Sequence, residues 1–216
     1  MSDLTHWSGV PRPERRILEG RHARLEPLEL RHEAELVRVA GEEPERFRWL
    51  ADRPGDVASW IAKASTTADP LFFAVVDRAT ARVEGRQALM RIDVQNGVIE
   101  IGSILWGPAI ARTPVATEAL YLFASYVFDT LGYRRFEWKC NDRNEPSKRA
   151  AVRFGFTHEG VFRQHMVTKG ENRDTAWFAM IDTDWPRIKA AFDGWLDPSN
   201  FGPDGIQRQR LAASAG

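Results

Sequence analysis

The chain has 216 residues, 43% of them hydrophobic, with thirty basic side chains against thirty acidic ones and a formal net charge of zero. That length and apolar content suit one domain with a sizeable core, and the balanced charge supplies no field that would draw the protein to nucleic acid or to an anionic lipid surface. One cysteine excludes an internal disulfide, and with no apolar leader-like segment and no apolar run long enough to span a bilayer, the expectation is a cytosolic protein without membrane or nucleic-acid partners.

Residues 1–17, with Trp7, Pro11 and Pro13, lack sustained periodicity and are expected to form an arm ahead of a domain over 18–196. A strand is expected near residues 22–28, helices near 31–40 and 54–64, and strands at 71–77 and 86–94. Gln95-Asn96-Gly97 then signals a tight hairpin turn of fixed register, because Asn-Gly readily supplies positive φ angles.

The strand VIEIGSILW over 98–106 is rich in Ile and Val and stops at Gly107-Pro108. Thr113 reads as the N-cap of a long helix, Pro114 as its first residue and Gly132 as its left-handed stop, so the helix runs about from 114 to 131. Its apolar face, built on Val115, Ala119, Leu122 and Tyr126 and widened by Leu120, Phe123 and Val127, is that of a helix packed on a sheet. The strand RRFEWKC over 134–140 follows. A strand-helix-strand unit of this length gives parallel neighbours joined right-handedly. The helix N-terminus, with its free N–H groups and dipole, then faces the strand ends as an anion site to which Arg112 adds a charge, which points to a phosphate-bearing cofactor.

A short helix is capped by Asn144, carries Pro146 in its first turn and closes at Gly155. The segment EGVFRQ supplies a further strand, and residues 197–216 again lack periodicity and read as a tail. The whole is a mixed α/β domain. His6, His22, His32 and His158 show no metal-ligand spacing with carboxylates or with Cys140, so no metal site is expected. Eight tryptophans and Cys140 are read as core residues.

In order, the helix start RTPVATEA, LGYRR, WKC, NEPSKRAA, FGF and EGVFRQ resemble the GCN5-related N-acetyltransferases, in particular the branch that acetylates protein N-termini such as those of ribosomal proteins. The likeness extends upstream to LEGRHARLEPL and downstream to RDTAWFAMIDTDWP. The resemblance implies a fold whose central parallel strands, here 99–106 and 134–140, splay apart around the pantetheine arm of acetyl-CoA, and direct acetyl transfer to a primary amine without a covalent enzyme intermediate. It implies cofactor contacts from Ile104, Leu105 and Trp106 on the strand and from Arg112, Thr113, Val115, Ala116 and Thr117 at the helix start. Asn144 and Ser147 match the family's N-x-x-S element, with Ser147 hydrogen-bonding the departing thiolate. The family's pyrophosphate pattern, Arg/Gln-x-x-Gly-x-Gly/Ala, falls on residues 111–116, where only the last small residue matches and Pro114 removes one N–H donor.

A base must take a proton from the attacking ammonium, and the oxyanion needs backbone donors such as the N–H of Ile104 or Leu105. Glu100 lies where the family often places that base, and strand parity decides whether Glu100 and Gly102 or Ile99 and Ile101 face the cleft. His165 is a second candidate, its imidazole suited to proton transfer near neutrality. Arg149 and Arg153 share a helix face and are read either as contacts to the 3'-phosphate or as a solvated face with Lys148. The acceptor is a protein N-terminus or a small amine. The reading from a different class is a non-catalytic acyl-CoA-binding sensor or interaction module on the same fold.

Overall fold

In the computed structural model, which describes residues 4–211 and 213, the strands are β1 (Leu18–Glu19), β2 (Ala23–Pro27), β3 (Leu71–Asp77), β4 (Arg82–Asp93), β5 (Val98–Trp106), β6 (Arg135–Asn141), β7 (Thr157–Thr168) and β8 (Glu171–Ile181). The helices are α1 (Glu33–Glu42), α2 (Val57–Ala64), α3 (Pro114–Ser125), α4 (Glu145–Arg153) and α5 (Trp185–Leu196). All eight strands form one mixed sheet of order β1-β2-β3-β4-β5-β6-β8-β7, in which β5 and β6 are parallel and the other neighbours antiparallel. The β5-α3-β6 crossover is the reason: two parallel neighbours need a long connection, and α3 supplies it.

The inner strands of the sheet are covered on both faces, while edge strand β7 is largely exposed. On one side α3 and α5 press Phe123, Ile188 and Phe192 onto Ile99, Ile101 and Phe136, all at most 1% exposed. On the other, α1, α2 and the 3-10 turn between them (Pro44–Trp49) cover β2 to β5 with Leu36, Ile61 and Phe47 against Phe72, Ala74 and Leu105. Core strands buried on both faces read as continuous apolar runs, as LFFAVV in β3 does.

The α3 start follows from its sequence. Thr113 is extended (φ −103°, ψ 172°) and its hydroxyl accepts from the Val115 N–H at 3.2 Å, while Pro114 takes a position where its missing N–H is no loss. The helix does not run regularly to 131: after Ser125 it widens into a π-type turn over Tyr126–Thr130, with the Leu131 N–H bonding the Tyr126 carbonyl at 3.0 Å. The wider turn turns Tyr126, Val127 and Phe128 inward together. The β4–β5 connection is also looser than the expected tight turn: Asp93 pairs with Val98 across residues 94–97, and there only Gly97 has positive φ, +63°.

The two terminal segments carry little regular structure yet pack on the domain. The Trp7 indole donates to the Gln95 carbonyl at 2.6 Å, the Glu14 N–H donates to the Tyr126 hydroxyl at 2.9 Å, and Leu211 and Ala213 join the α3/α5 core. The described parts of both segments are thus arms held against the domain, and residues 1–3, 212 and 214–216 of those two segments lie outside the described residues. No described helix is long and apolar enough to cross a membrane.

Glu118, on the buried side of α3, ties the helix to the sheet. Its carboxylate accepts from the N–H groups of Arg21, His22 and Ala23 at 2.9, 2.5 and 2.6 Å, shaping the β1–β2 turn. Removing a buried acceptor strands its donors. Glu118→Ala is predicted to lower unfolding stability by about 2–4 kcal/mol, read as a fall in the urea midpoint at constant slope; an unchanged midpoint would contradict it.

Candidate active site

β5 and β6 pair only from Val98↔Arg135 to Ile101↔Trp138, yet β5 runs on to Trp106 and β6 to Asn141. The parallel strands part after four residue pairs. A bulge in β5 marks the parting: Ala88 pairs with Gly102 and Arg86 with Leu105, so β5 spends one residue more than β4, and Ser103 takes φ +50°. A bulge bends its strand and shifts side-chain alternation by one. Before it, Ile99 and Ile101 face α3, leaving Glu100 and Gly102 on the opposite face; after it, Leu105 packs in the α1/α2 core while Ile104 and Trp106 pack against the α3 side. The backbone groups of β5 beyond Ile101 that point toward β6 have no strand partner.

The α3 side of the gap gathers most of the residues expected to hold a cofactor. The Thr113 N–H is used by the Ile110 carbonyl, Val115 by the Thr113 hydroxyl and Thr117 by the Thr113 carbonyl, so the open N–H groups at this helix start are those of Arg112 and Ala116. Arg112 is exposed with φ +66°. Arg153 of α4 reaches across, its guanidinium 3.3 Å from the Thr117 hydroxyl and over the Phe154 and Trp195 rings. Among the described residues no carboxylate pairs with it, and burial pulls its pKa below the ordinary guanidinium value. Arg149 lies in the same groove as Arg153, along α4 with Lys148 and Val152.

Asn144 caps α4 by accepting from the Ser147 N–H at 3.2 Å. The Ser147 hydroxyl accepts from the Trp138 indole at 3.0 Å, which leaves its own proton to donate. It also lies beside the Cys140 thiol, whose pKa burial raises and the Ser147 contact moderates. Trp106 meets Trp138 at a ring separation of 6.5 Å, and both meet Phe154. Trp106 is anchored by Gln87, which also bonds the Ala119 carbonyl of α3.

The opposite face carries charge that the sequence reading did not assign. Glu100, 3% exposed, receives Arg91 at 2.6 Å and Lys139 at 3.0 Å on the same oxygen, Oε2. Lys139 also meets Glu137 at 2.7 Å and lies 3.7 Å from the Trp177 ring centre. Arg135 joins Glu137 to Glu159. Glu100 and Glu137 are direct neighbours across the parallel pair, and Lys139 follows Glu137 on the same face. The signal in the sequence was the alternation of polar Arg135, Glu137, Lys139 and Asn141 with apolar Phe136, Trp138 and Cys140 along one strand. Glu100 Oε1 makes no hydrogen bond among the described residues and lies beside Gly102, where a Cβ would come within 3.3 Å of it and 2.3 Å of the Met90 sulfur.

His165 stands on β7, exposed, its Nδ1 3.0 Å from the Thr175 hydroxyl and its ring against Phe162 and Trp177. Glu100 and His165 therefore belong to one face of the sheet and Ser147 to the other, and the gap between β5 and β6 is where the faces meet. Among the described residues there is no cluster of three or more His, Cys, Asp or Glu suited to a metal.

Such a gap, with open strand backbone, two free N–H groups at a helix start and an unpaired arginine beside it, has the donor chemistry to hold an extended amide chain ending in phosphates. The sequence profile of the acetyltransferase (GNAT) domain matches residues 22–157. A crystal structure of a GCN5-related N-acetyltransferase from Brucella melitensis is 56% identical, with a TM-score of 0.95 over 96% of this chain and 97% of that one. The uncharacterized N-acetyltransferase p20 of Bacillus licheniformis is 29% identical over 117 residues, 52% of this chain and 63% of that relative, so less than two thirds of its length is spanned. The microcin C7 self-immunity acetyltransferase MccE, solved in complex with acetyl-CoA and AMP, shares the fold at 21% identity, with a TM-score of 0.66 over 75% of this chain and 93% of that one. Sequence profile, close relative and sheet geometry agree, and the chain belongs to the GCN5-related N-acetyltransferase (GNAT) family of acetyltransferases.

Proposed function

We propose that this acetyltransferase takes its acetyl group from acetyl-CoA and passes it directly to a primary amine, either a protein N-terminus or a small amine. The observation that carries the reading is the parting of β5 and β6 after Ile101 and Trp138, with α3 opening beside it. In the MccE structure the same fold binds acetyl-CoA. Bound there, acetyl-CoA would supply an activated acyl carbon.

The chain's own groups divide the remaining work. The Arg112 and Ala116 N–H groups, the α3 dipole and Arg153 hold phosphate oxygens. Strand N–H groups of the Gly102–Trp106 stretch that open into the gap receive the developing oxyanion. Glu100 takes the amine proton at Oε1, because Oε2 is fixed by Arg91 and Lys139 and those two contacts hold the carboxylate in one orientation. Ser147, pinned by the Trp138 indole, keeps one proton to direct at the sulfur. His165 at the rim is a second proton acceptor, reached through solvent.

The two cations on Glu100 and Pro114 at the α3 start favour a second reading, an acyl-CoA-binding sensor without turnover. Amine-dependent release of free thiol from acetyl-CoA separates the two: the enzyme releases thiol with an acceptor present, and a sensor binds without release. Given release, Glu100→Gln is predicted to lower kcat by about a hundredfold with cofactor affinity unchanged, whereas a larger loss in His165→Ala would move the base to the rim. Arg153→Gln is predicted to weaken CoA binding by about tenfold in a direct binding titration, and unchanged affinity would remove Arg153 from the phosphate site.

A further inference from the structure

Arg173 is a cation on the Glu100 face that the ion-pair network leaves out among the described residues. Along β8, Ala179 pairs with Glu137, Trp177 with Lys139 and Thr175 with Asn141, so Arg173, two residues further, shares their face and lies just past the end of β6. That is the end toward which β5 and β6 part. Its Nε donates to the Thr175 hydroxyl at 3.2 Å, and the same hydroxyl meets His165 Nδ1 at 3.0 Å, so the guanidinium is held in place by a fully buried threonine. Neither terminal nitrogen has a hydrogen-bond partner, and no carboxylate forms an ion pair with Arg173 among the described residues. The side chain is half-buried, and desolvation pulls its pKa below the ordinary guanidinium value, with Cys140 and then Glu100 opposing that shift and Arg91 adding to it.

On the Glu100 face the network is uneven. Arg91, Lys139 and Arg135 are matched by Glu100, Glu137 and Glu159 through direct contacts, and Arg173 beside them has no carboxylate partner among the described residues. A half-buried guanidinium fixed at Nε, with a free terminal fork, is shaped to receive a planar anion. An acceptor that brought only positive charge, such as a polyamine, would add to that unpartnered charge, whereas one carrying its own carboxylate would neutralise it.

Resting on the transferase reading above, we propose that Arg173 is the acceptor-recognising residue and that the acceptor is a small amino acid whose carboxylate sits on the Arg173 fork while its amine faces Glu100. Recognition is tested without turnover by titrating a panel of L-amino acids and their carboxamides into the protein saturated with CoA. At least one amino acid is expected to bind roughly tenfold or more tightly than its carboxamide. That ratio falls toward one in Arg173→Gln and is partly kept in Arg173→Lys, with the thermal midpoint of each variant measured alongside. Carboxamides binding as well as the acids, no binding by either, or a ratio that survives Arg173→Gln would each overturn the assignment. Thiol release confined to amines without a carboxylate, a peptide N-terminus included, would keep the transferase reading and sink this one; CoA binding without thiol release with any amine would sink the transferase reading itself.

Discussion

One extra residue in β5 sets the geometry on which the rest depends. Beyond Ile101 the strand can no longer follow both neighbours: it stays paired with β4 by bulging at Ser103 and leaves β6. A strand that leaves its partner exposes backbone hydrogen-bonding groups, which is costly unless something else receives them. Here the exposed groups line a gap flanked by the α3 start and by α4, and the bulge also rotates the strand so that Glu100 and Gly102 look away from α3 while Trp106 looks toward it. Backbone irregularity and side-chain placement are one event.

The two faces that meet at the gap differ in chemistry. The α3 side is aromatic, with Trp106, Trp138 and Phe154 in mutual contact and Ser147 bonded to Trp138. The other is ionic, with Glu100, Lys139 and Glu137 buried in line. Taking such charges out of water costs several kcal/mol each unless they are paired, and a network of this kind is weak evidence for stability. Its consequence is orientation: Oε2 of Glu100 is held from two sides, and Oε1 makes no hydrogen bond among the described residues.

Much of the architecture was legible because local signals agreed with one another. Thr113, Pro114 and the apolar stripe fixed where α3 begins and which way it faces, and the crossover length fixed β5 and β6 as parallel. The parity of β5 was not legible, because a positive φ at a serine leaves no mark in the sequence and VIEIGSILW reads as an uninterrupted strand. The four-residue span of the β4–β5 turn escaped for a related reason: Gly97 supplied the expected left-handed residue, but the Trp7 ring packed against it belongs to a segment distant in sequence. Lys139 and Arg173 were visible as charged residues within strands, yet which charge meets which is decided by strand order, and β8 enters between β6 and β7 only in the folded sheet.

We propose that the gap between β5 and β6 receives the pantetheine arm, beyond any attraction of the α3 start for phosphate. Calorimetric titration with acetyl-CoA, run beside adenosine diphosphate, separates these. Binding on the order of micromolar for acetyl-CoA and at least about tenfold weaker for the diphosphate is the predicted result; equal affinities, or no heat with acetyl-CoA, would contradict it.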